Sequence, residues 1–217
     1  MRRMSLTLYV GSKRYSSWSL RPYLALVHTG EKFETKTIFL DQADTAAEIA
    51  KVTPSGRVPV LDHDGLMIWD SLAICEYLNE QFPRAGLWPA DRAQRARARS
   101  ISAEMHSSFT AMRQQMWMDL GVDKRGQGHT PDALADVRRI QEIWREQLEA
   151  SKGRGGPFLF GAFSIADAMF APVATRFVTY GVDIDATCRA YVEALHALPA
   201  MQQWHRDAEQ EPRKGGG

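Results

Sequence analysis

The stretch Tyr15-Ser16-Ser17-Trp18-Ser19-Leu20-Arg21-Pro22 lies between a strand-like run, Leu6 to Val10, and an apolar run of helical spacing, Leu20 to His28. Pro22 decides how the junction folds. Proline has no N–H to give and is tolerated only in the first turn of a helix. The helix therefore begins near Ser17 to Ser19, and the serines stand at its mouth. Unpaired backbone N–H groups and the helix dipole give such a mouth roughly half a positive charge. It is a receptor for an anion, with the hydroxyls of Tyr15, Ser16, Ser17 and Ser19 as candidate donors.

On either side of this stretch the pattern is mixed α/β. Leu6 to Val10 ends at Gly11 and reads as a first strand, and Phe33 to Leu40 alternates as a second. One helix between them makes a βαβ unit with parallel strands. Asp44 or Thr45 caps a short helix, Ala46 to Val52. After the Pro54-Ser55-Gly56 turn come two apolar runs, Val58 to Leu61 and Leu66 to Trp69. The Asp64-Gly65 pair between them is a strong hairpin signal. Ser71 to Phe82 is a helix with Leu72, Ile74, Cys75 and Leu78 inward. The order is β-α-β-α-β-β-α.

From Asp91 the chain reads as helix throughout. The expected elements are one long helix from Asp91 to Leu120, a second from the Thr130 cap and Pro131 to Lys152, a third from Ser164 to about Tyr180, and a fourth from Ile184 to Leu198. Residues 1–83 form the expected first domain, 84–90 a Pro- and Gly-bearing linker and 91–217 an all-α domain. The tail from Glu211 has no apolar content and is expected to fray.

Composition limits the function classes. The chain has 217 residues, a formal net charge of +1, 44% hydrophobic and 24% charged residues, which is ordinary for a soluble globular protein and gives no support to nucleic-acid or membrane-surface binding. No apolar run approaches the ~18 residues that span a bilayer. Met1 to Met4 carry no leader pattern, so a cytoplasmic protein is expected. Cys75 and Cys188 lie inside apolar helical patterns with no metal spacing, and read as buried reduced thiols.

Four segments together resemble the cytosolic glutathione transferases. They are Ser16 to Arg21, Pro54-Ser55-Gly56-Arg57-Val58-Pro59-Val60-Leu61, Asp70 to Ile74, and Phe163-Ser164-Ile165-Ala166-Asp167. The resemblance covers nearly the whole chain. It implies a thioredoxin-like domain joined to a helical-bundle domain, a homodimer, detoxification chemistry, and glutathione as co-substrate without a metal. The serine stretch is most similar to the zeta class, whose pattern is Ser-Ser-Cys; here Trp18 stands in the cysteine position. A thiol-disulfide reductase is disfavoured because residues 15–19 contain no cysteine.

The resemblance assigns roles to residues. It places the catalytic hydroxyl at Ser16, with Ser17 or Tyr15 as alternatives, and Trp18 beside it in the glutathione site. A thiol of pKa ~8.5 must be lowered by ~2 units to be mostly ionised at pH 7, which requires ~2.7 kcal/mol. A charge-assisted hydrogen bond of ~1.5–3 kcal/mol and a helix mouth worth ~0.3–1 together reach that size without a base. Val58-Pro59 is expected to be cis, with the Val58 backbone pairing the cysteinyl part of glutathione. Asp70 and Ser71 hold the γ-glutamyl end. The glycyl carboxylate is left to Arg57, Lys51 or Arg14, and Glu104 and His106 reach glutathione within one subunit or across a dimer. Met105, Phe109, Met112, Met116 and Trp117 either fill the core or line a pocket for apolar electrophiles.

The expected activity is conjugation of glutathione to small, largely apolar electrophiles. The alternatives are a cis–trans isomerase of the maleylacetoacetate type, with Arg113 and Arg176 as cations for a dicarboxylate, and a non-catalytic binding scaffold. Ser164 to Asp167 is expected to be a structural capping box worth ~1–2 kcal/mol.

Overall fold

The computed structural model describes residues 5–212. Met1 to Met4, on which the leader reading rests, lie outside the described residues, as does the tail from Arg213. Four strands, β1 (Leu6–Gly11), β2 (Glu34–Ile38), β3 (Val60–His63) and β4 (Leu66–Trp69), form one mixed sheet in the order β2-β1-β3-β4. β1 pairs parallel with β2, and the crossover is α1 (Ser17–His28). β3 runs antiparallel to both β1 and β4. Asp64 and Gly65 turn the β3–β4 hairpin with positive φ of 53° and 91°, as the Asp-Gly pair requires. A short helix, α2 (Thr45–Ala50), precedes β3, and α3 (Ser71–Gln81) follows β4. This is the expected thioredoxin-like α/β unit.

The helical half contains α4 (Arg92–Ser107), α5 (Thr110–Gln115), α6 (Pro131–Ala150), α7 (Ile165–Tyr180), α8 (Ala186–Ala197) and α9 (Pro199–Glu209). α7 is buried on almost every side and forms its centre. α1 lies between α3 and α7, so even its polar residues Ser17, Ser19 and Arg21 are buried.

Three expectations need correction. The helix from Asp91 to Leu120 is two helices, broken at Ser108 and at Phe109, which takes a left-handed φ of 64°. The Arg113 guanidinium reaches back to the carbonyls of Ser108 and Met105 at the end of α4, satisfying groups that a continuous helix would have paired. The apolar spacing continues across the break because Met105, Phe109, Met112 and Met116 are all core residues, while Trp117 is half exposed and lines no part of the main cleft. The chain also remains helical beyond Leu198, because Pro199 opens α9. Finally, Glu211 is held: its carboxylate accepts from the Arg14 N–H at 3.2 Å.

α9 anchors the loop in front of α1. Lys13 pairs with Asp207 at 2.5 Å, the Trp204 indole donates to the Lys13 carbonyl, and Arg14 donates to the carbonyls of Ala208 and Leu120. The two cysteines are free and buried, and burial pushes the Cys188 thiol up to about 12. Among the described residues no helix is long and apolar enough to cross a membrane.

Asp167 is the buried hub of α7. Its carboxylate accepts from the N–H and hydroxyl of Ser164, from Leu159 N–H and from the Tyr191 hydroxyl, all within 3.0 Å. The structure ties more donors to it than a capping box alone. Asp167→Ala leaves four buried donors without an acceptor and should cost at least ~3 kcal/mol in urea unfolding; a loss under ~1 kcal/mol would contradict this role.

On α8 and α9, His196 and His205 stack edge to face at 5.4 Å. Burial, with His196 adding to it, lowers His205 to about 4. The unfolded chain therefore binds more protons between pH 6.5 and 4, and stability falls as pH drops through that window. His205→Leu should narrow the loss of unfolding midpoint between pH 7 and pH 5; an unchanged loss would assign the acid limb elsewhere.

Candidate functional site

A cleft of about 700 Å³ opens between the two halves. The mouth of α1 contributes Tyr15, Ser16 and Trp18. The turn before β3 contributes Arg57, Val58 and Pro59, and the β4–α3 junction contributes Asp70 and Ser71. His106 faces them from α4. Most of the residues singled out in the sequence are thus brought together from four separate segments. Ser17 is buried but lines no part of the cleft. Glu104 is tied to Arg139 of α6 at 2.8 Å and does not reach the cleft within one chain.

Two helix mouths open onto this space, so two sets of backbone N–H groups point into it. Ser16 is the N-cap of α1, accepting from Ser19 N–H at 3.3 Å. Asp70 is the N-cap of α3, with Oδ1 accepting from Leu72 and Ala73 N–H groups. Its backbone sits at φ 74°, ψ 132°, a conformation that costs a non-glycine residue ~1–3 kcal/mol. The cap bonds hold it there, along with the His106 Nε2 at 3.2 Å from Oδ2. The Ser71 Oγ is buried and meets no hydrogen-bond partner among the described residues. The Val58–Pro59 peptide is cis, as expected.

The three candidate cations for the far end of the cleft differ in freedom. Arg14 is buried and spent on carbonyls. Lys51 is paired with Glu48. Arg57 is exposed on the cleft wall.

Behind Trp18 lies a feature that the sequence indicated only in part. The Arg21 guanidinium sits 4.2 Å from the centroid of the Trp18 ring and that of Arg113 sits 5.0 Å from it. Arg176 of α7 completes the group, since Arg21 feels its charge and it feels that of Arg113. All three nitrogens of Arg21, and two of Arg176, meet no hydrogen-bond partner among the described residues. Burial, then repulsion from Arg113 and Arg176, holds Arg21 far below its ordinary range, and burial with Arg113 brings Arg176 to about 9. Guanidiniums at neutral pH remain charged, so the region behind the indole carries strong positive potential. His106, edge-on to the ring at 5.2 Å, is lowered by burial, and the same arginines add to that against Asp70. Arg113 and Arg176 were candidates from the sequence; Arg21 was missed. Its signal was a charge in a helix apolar on every face.

A ring face returns about 2 kcal/mol to a desolvated cation, against a burial penalty of several kcal/mol per ion. Arg21 is therefore retained at a cost to stability. Arg21→Met should leave the unfolding free energy unchanged or raise it by up to ~2 kcal/mol; a loss above ~1 kcal/mol would mean that the guanidinium is structural.

Among the described residues no group of three or more His, Cys, Asp or Glu side chains could hold a metal ion. Two family models match the chain: the glutathione S-transferase N-terminal domain over residues 15–81 and the C-terminal domain over residues 93–207. A maleylacetoacetate isomerase of Rhizobium meliloti is 42% identical over 203 residues, covering 88% of this chain and 92% of its own. A probable maleylacetoacetate isomerase of Caenorhabditis elegans is 36% identical over 202 residues, covering 92% of each. The crystal structure of a glutathione transferase homolog from Burkholderia gl BGR1, with bound glutathione, superposes with a TM-score of 0.75 at 28% identity, covering 95% of this chain and all of the other.

Proposed function

The chain belongs to the glutathione S-transferase family, and from that premise we propose that the cleft binds glutathione with its sulfur at the mouth of α1. Ser16 is the hydroxyl that meets the thiolate, since it lines the cleft at the N-cap of α1; Ser17 lines no part of the cleft, and Tyr15, which does, precedes the cap. Ser71, with its unpaired Oγ, and the α3 mouth take the γ-glutamyl carboxylate, and Asp70 faces the ammonium. The Val58 backbone pairs with the cysteinyl residue, and Arg57 holds the glycyl carboxylate. Trp18 and His106 close the side of the cleft nearest α4. A second copy of the chain completes a homodimer, across which Glu104 could reach glutathione.

The acceptor is an electrophile carrying carboxylates, and the reaction we favour is glutathione-dependent cis–trans isomerisation, as the names of the relatives imply for those proteins. One observation carries this reading: the buried guanidiniums of Arg21 and Arg176, with three and two nitrogens that meet no hydrogen-bond partner among the described residues, lie with half-buried Arg113 behind Trp18, which lines the cleft. A purely apolar acceptor would leave that charge uncompensated. Conjugation and isomerisation share a first step, addition of the thiolate to one carbon of a double bond. The electron pair moves to the adjacent carbon and its carbonyl, where the arginines stabilise it. Rotation about the new single bond and expulsion of the thiolate then give the trans isomer, with glutathione unchanged. In conjugation to an activated double bond the adduct is protonated and leaves, and with an aryl halide the C–S bond forms as halide is expelled.

Two variants separate the halves of this proposal. Ser16→Ala should raise the thiol pKa of bound glutathione by ~1–2 units and cut turnover at neutral pH while glutathione binding stays within a few-fold. Arg176→Ala should reduce isomerisation of maleylacetoacetate by ~100-fold or more while conjugation to a neutral aryl halide falls less than ~5-fold. Equal losses on both acceptors would remove the case for a carboxylate-bearing substrate.

A further inference from the structure

Ser19 also belongs to the machinery. It is fully buried, touches no part of the cleft, and lies one turn into α1. We propose that Ser19 is a positioning residue that turns the Ser16 hydroxyl so that it can only donate. The proposal rests on the reading of Ser16 as the thiolate partner.

The argument is one of hydrogen-bond capacity. A serine hydroxyl has one proton and two acceptor lone pairs. The Ser19 Oγ accepts from the Gly11 N–H at 3.0 Å and lies 2.7 Å from the Ser16 Oγ. A backbone N–H accepts nothing, so among the described residues the Ser16 Oγ is the one acceptor hydrogen-bonded to Ser19. If Ser16 gave its proton to Ser19 instead, the Ser19 proton would be buried with no acceptor. Ser19 is therefore the donor of the pair. The Ser16 Oγ then accepts twice from the same residue, from the Ser19 hydroxyl and from the Ser19 N–H at 3.3 Å. Both lone pairs are occupied, and its one remaining function is to donate into the cleft.

The result is a directed chain: Gly11 N–H to Ser19 O–H to Ser16 O–H to the sulfur. Each donor in such a chain polarises the next, so the terminal hydroxyl binds an anion more strongly than an isolated serine does. The fold supplies the close approach that begins the chain. A β-carbon on Gly11 would come within 3.1 Å of the Ser16 Cβ and 3.0 Å of the Leu40 Cδ1, so a larger residue there would push Ser16 or Leu40 aside by a few tenths of an ångström. The sulfur site thus draws on the last residue of β1 as well as on α1.

The test is titration of the thiol of bound glutathione by ultraviolet difference absorbance, in the wild type and in Ser16→Ala, Ser19→Ala, Ser19→Thr and Ser19→Cys. Ser19→Ala should raise the thiol pKa by about half a unit to one unit, less than Ser16→Ala does. It should move the acid limb of kcat/KM by the same amount and leave the glutathione dissociation constant within twofold. Ser19→Thr, which keeps the hydroxyl, should restore the wild-type pKa. Ser19→Cys, a weaker donor of similar size, should fall between and carries the same test if the alanine variant does not fold. A wild-type pKa in Ser19→Ala or Ser19→Cys, with Ser16→Ala shifted, overturns the role of Ser19 alone. A wild-type pKa in Ser16→Ala overturns the serine–thiolate reading and this proposal together.

Discussion

Positive charge in excess of the carboxylates near it is the constraint around which the cleft is built. Two helix mouths open onto one space, and three guanidiniums stand behind its wall. Each of these elements resists burial, and each needs support from elsewhere in the chain. α1 is clamped between α3 and α7, so its N-terminus cannot turn toward solvent. α9 fixes the loop at Lys13 and Arg14 that leads into it. The strained Asp70 is pinned by its own cap bonds and by His106. Such arrangements lower stability in the absence of anions, and binding sites are where proteins retain that cost.

The site therefore has a division of labour along one axis. At the α1 mouth, hydroxyl and N–H donors face a sulfur whose negative charge must form at neutral pH. Behind Trp18, guanidiniums face the carboxylates, and later the enolate charge, of the acceptor. Trp18 is the hinge of this layout. Its edge meets His106, and its ring lies over Arg21 and Arg113. The indole does by quadrupole what an acidic side chain would do by charge, but weakly, so an anionic ligand outcompetes it. The resemblance places a cysteine at this position, and in this chain a stacking residue takes that place without removing the positive charge it covers.

Much of this was legible from single residues with a fixed local meaning. Pro22 set the start of α1 because its missing N–H restricts it to a first turn. Asp64-Gly65 set the hairpin, Thr130-Pro131 the start of α6, and Ser164 with Asp167 the start of α7. What stayed hidden depended on distant partners. The break at Ser108 and Phe109 left the apolar spacing intact and is held by the Arg113 side chain, which no local pattern encodes. Pro199 was a visible start signal for α9, but the last expected helix ended at Leu198; the indole and carboxylate bonds of α9 to the α1 loop give it its purpose. Arg21, Arg113 and Arg176 lie far apart in sequence on α1, α5 and α7; the last two were candidate cations, but no local pattern joined Arg21 to them. Their meeting is a product of packing. The same holds for Ser19, whose hydroxyl acquires a direction only when β1 brings the Gly11 N–H against it.

The central claim is that the α1 mouth converts a thiol into a thiolate by hydrogen bonding alone, with no base to take the proton. The direct measurement is proton release when glutathione binds, followed in weakly buffered solution at pH 7. A thiol lowered by ~2 units from its free value should release roughly 0.7 proton per bound glutathione. Binding without proton release would contradict the account, because the sulfur would then enter the cleft as a neutral thiol and the donors at Ser16 would have no anion to meet.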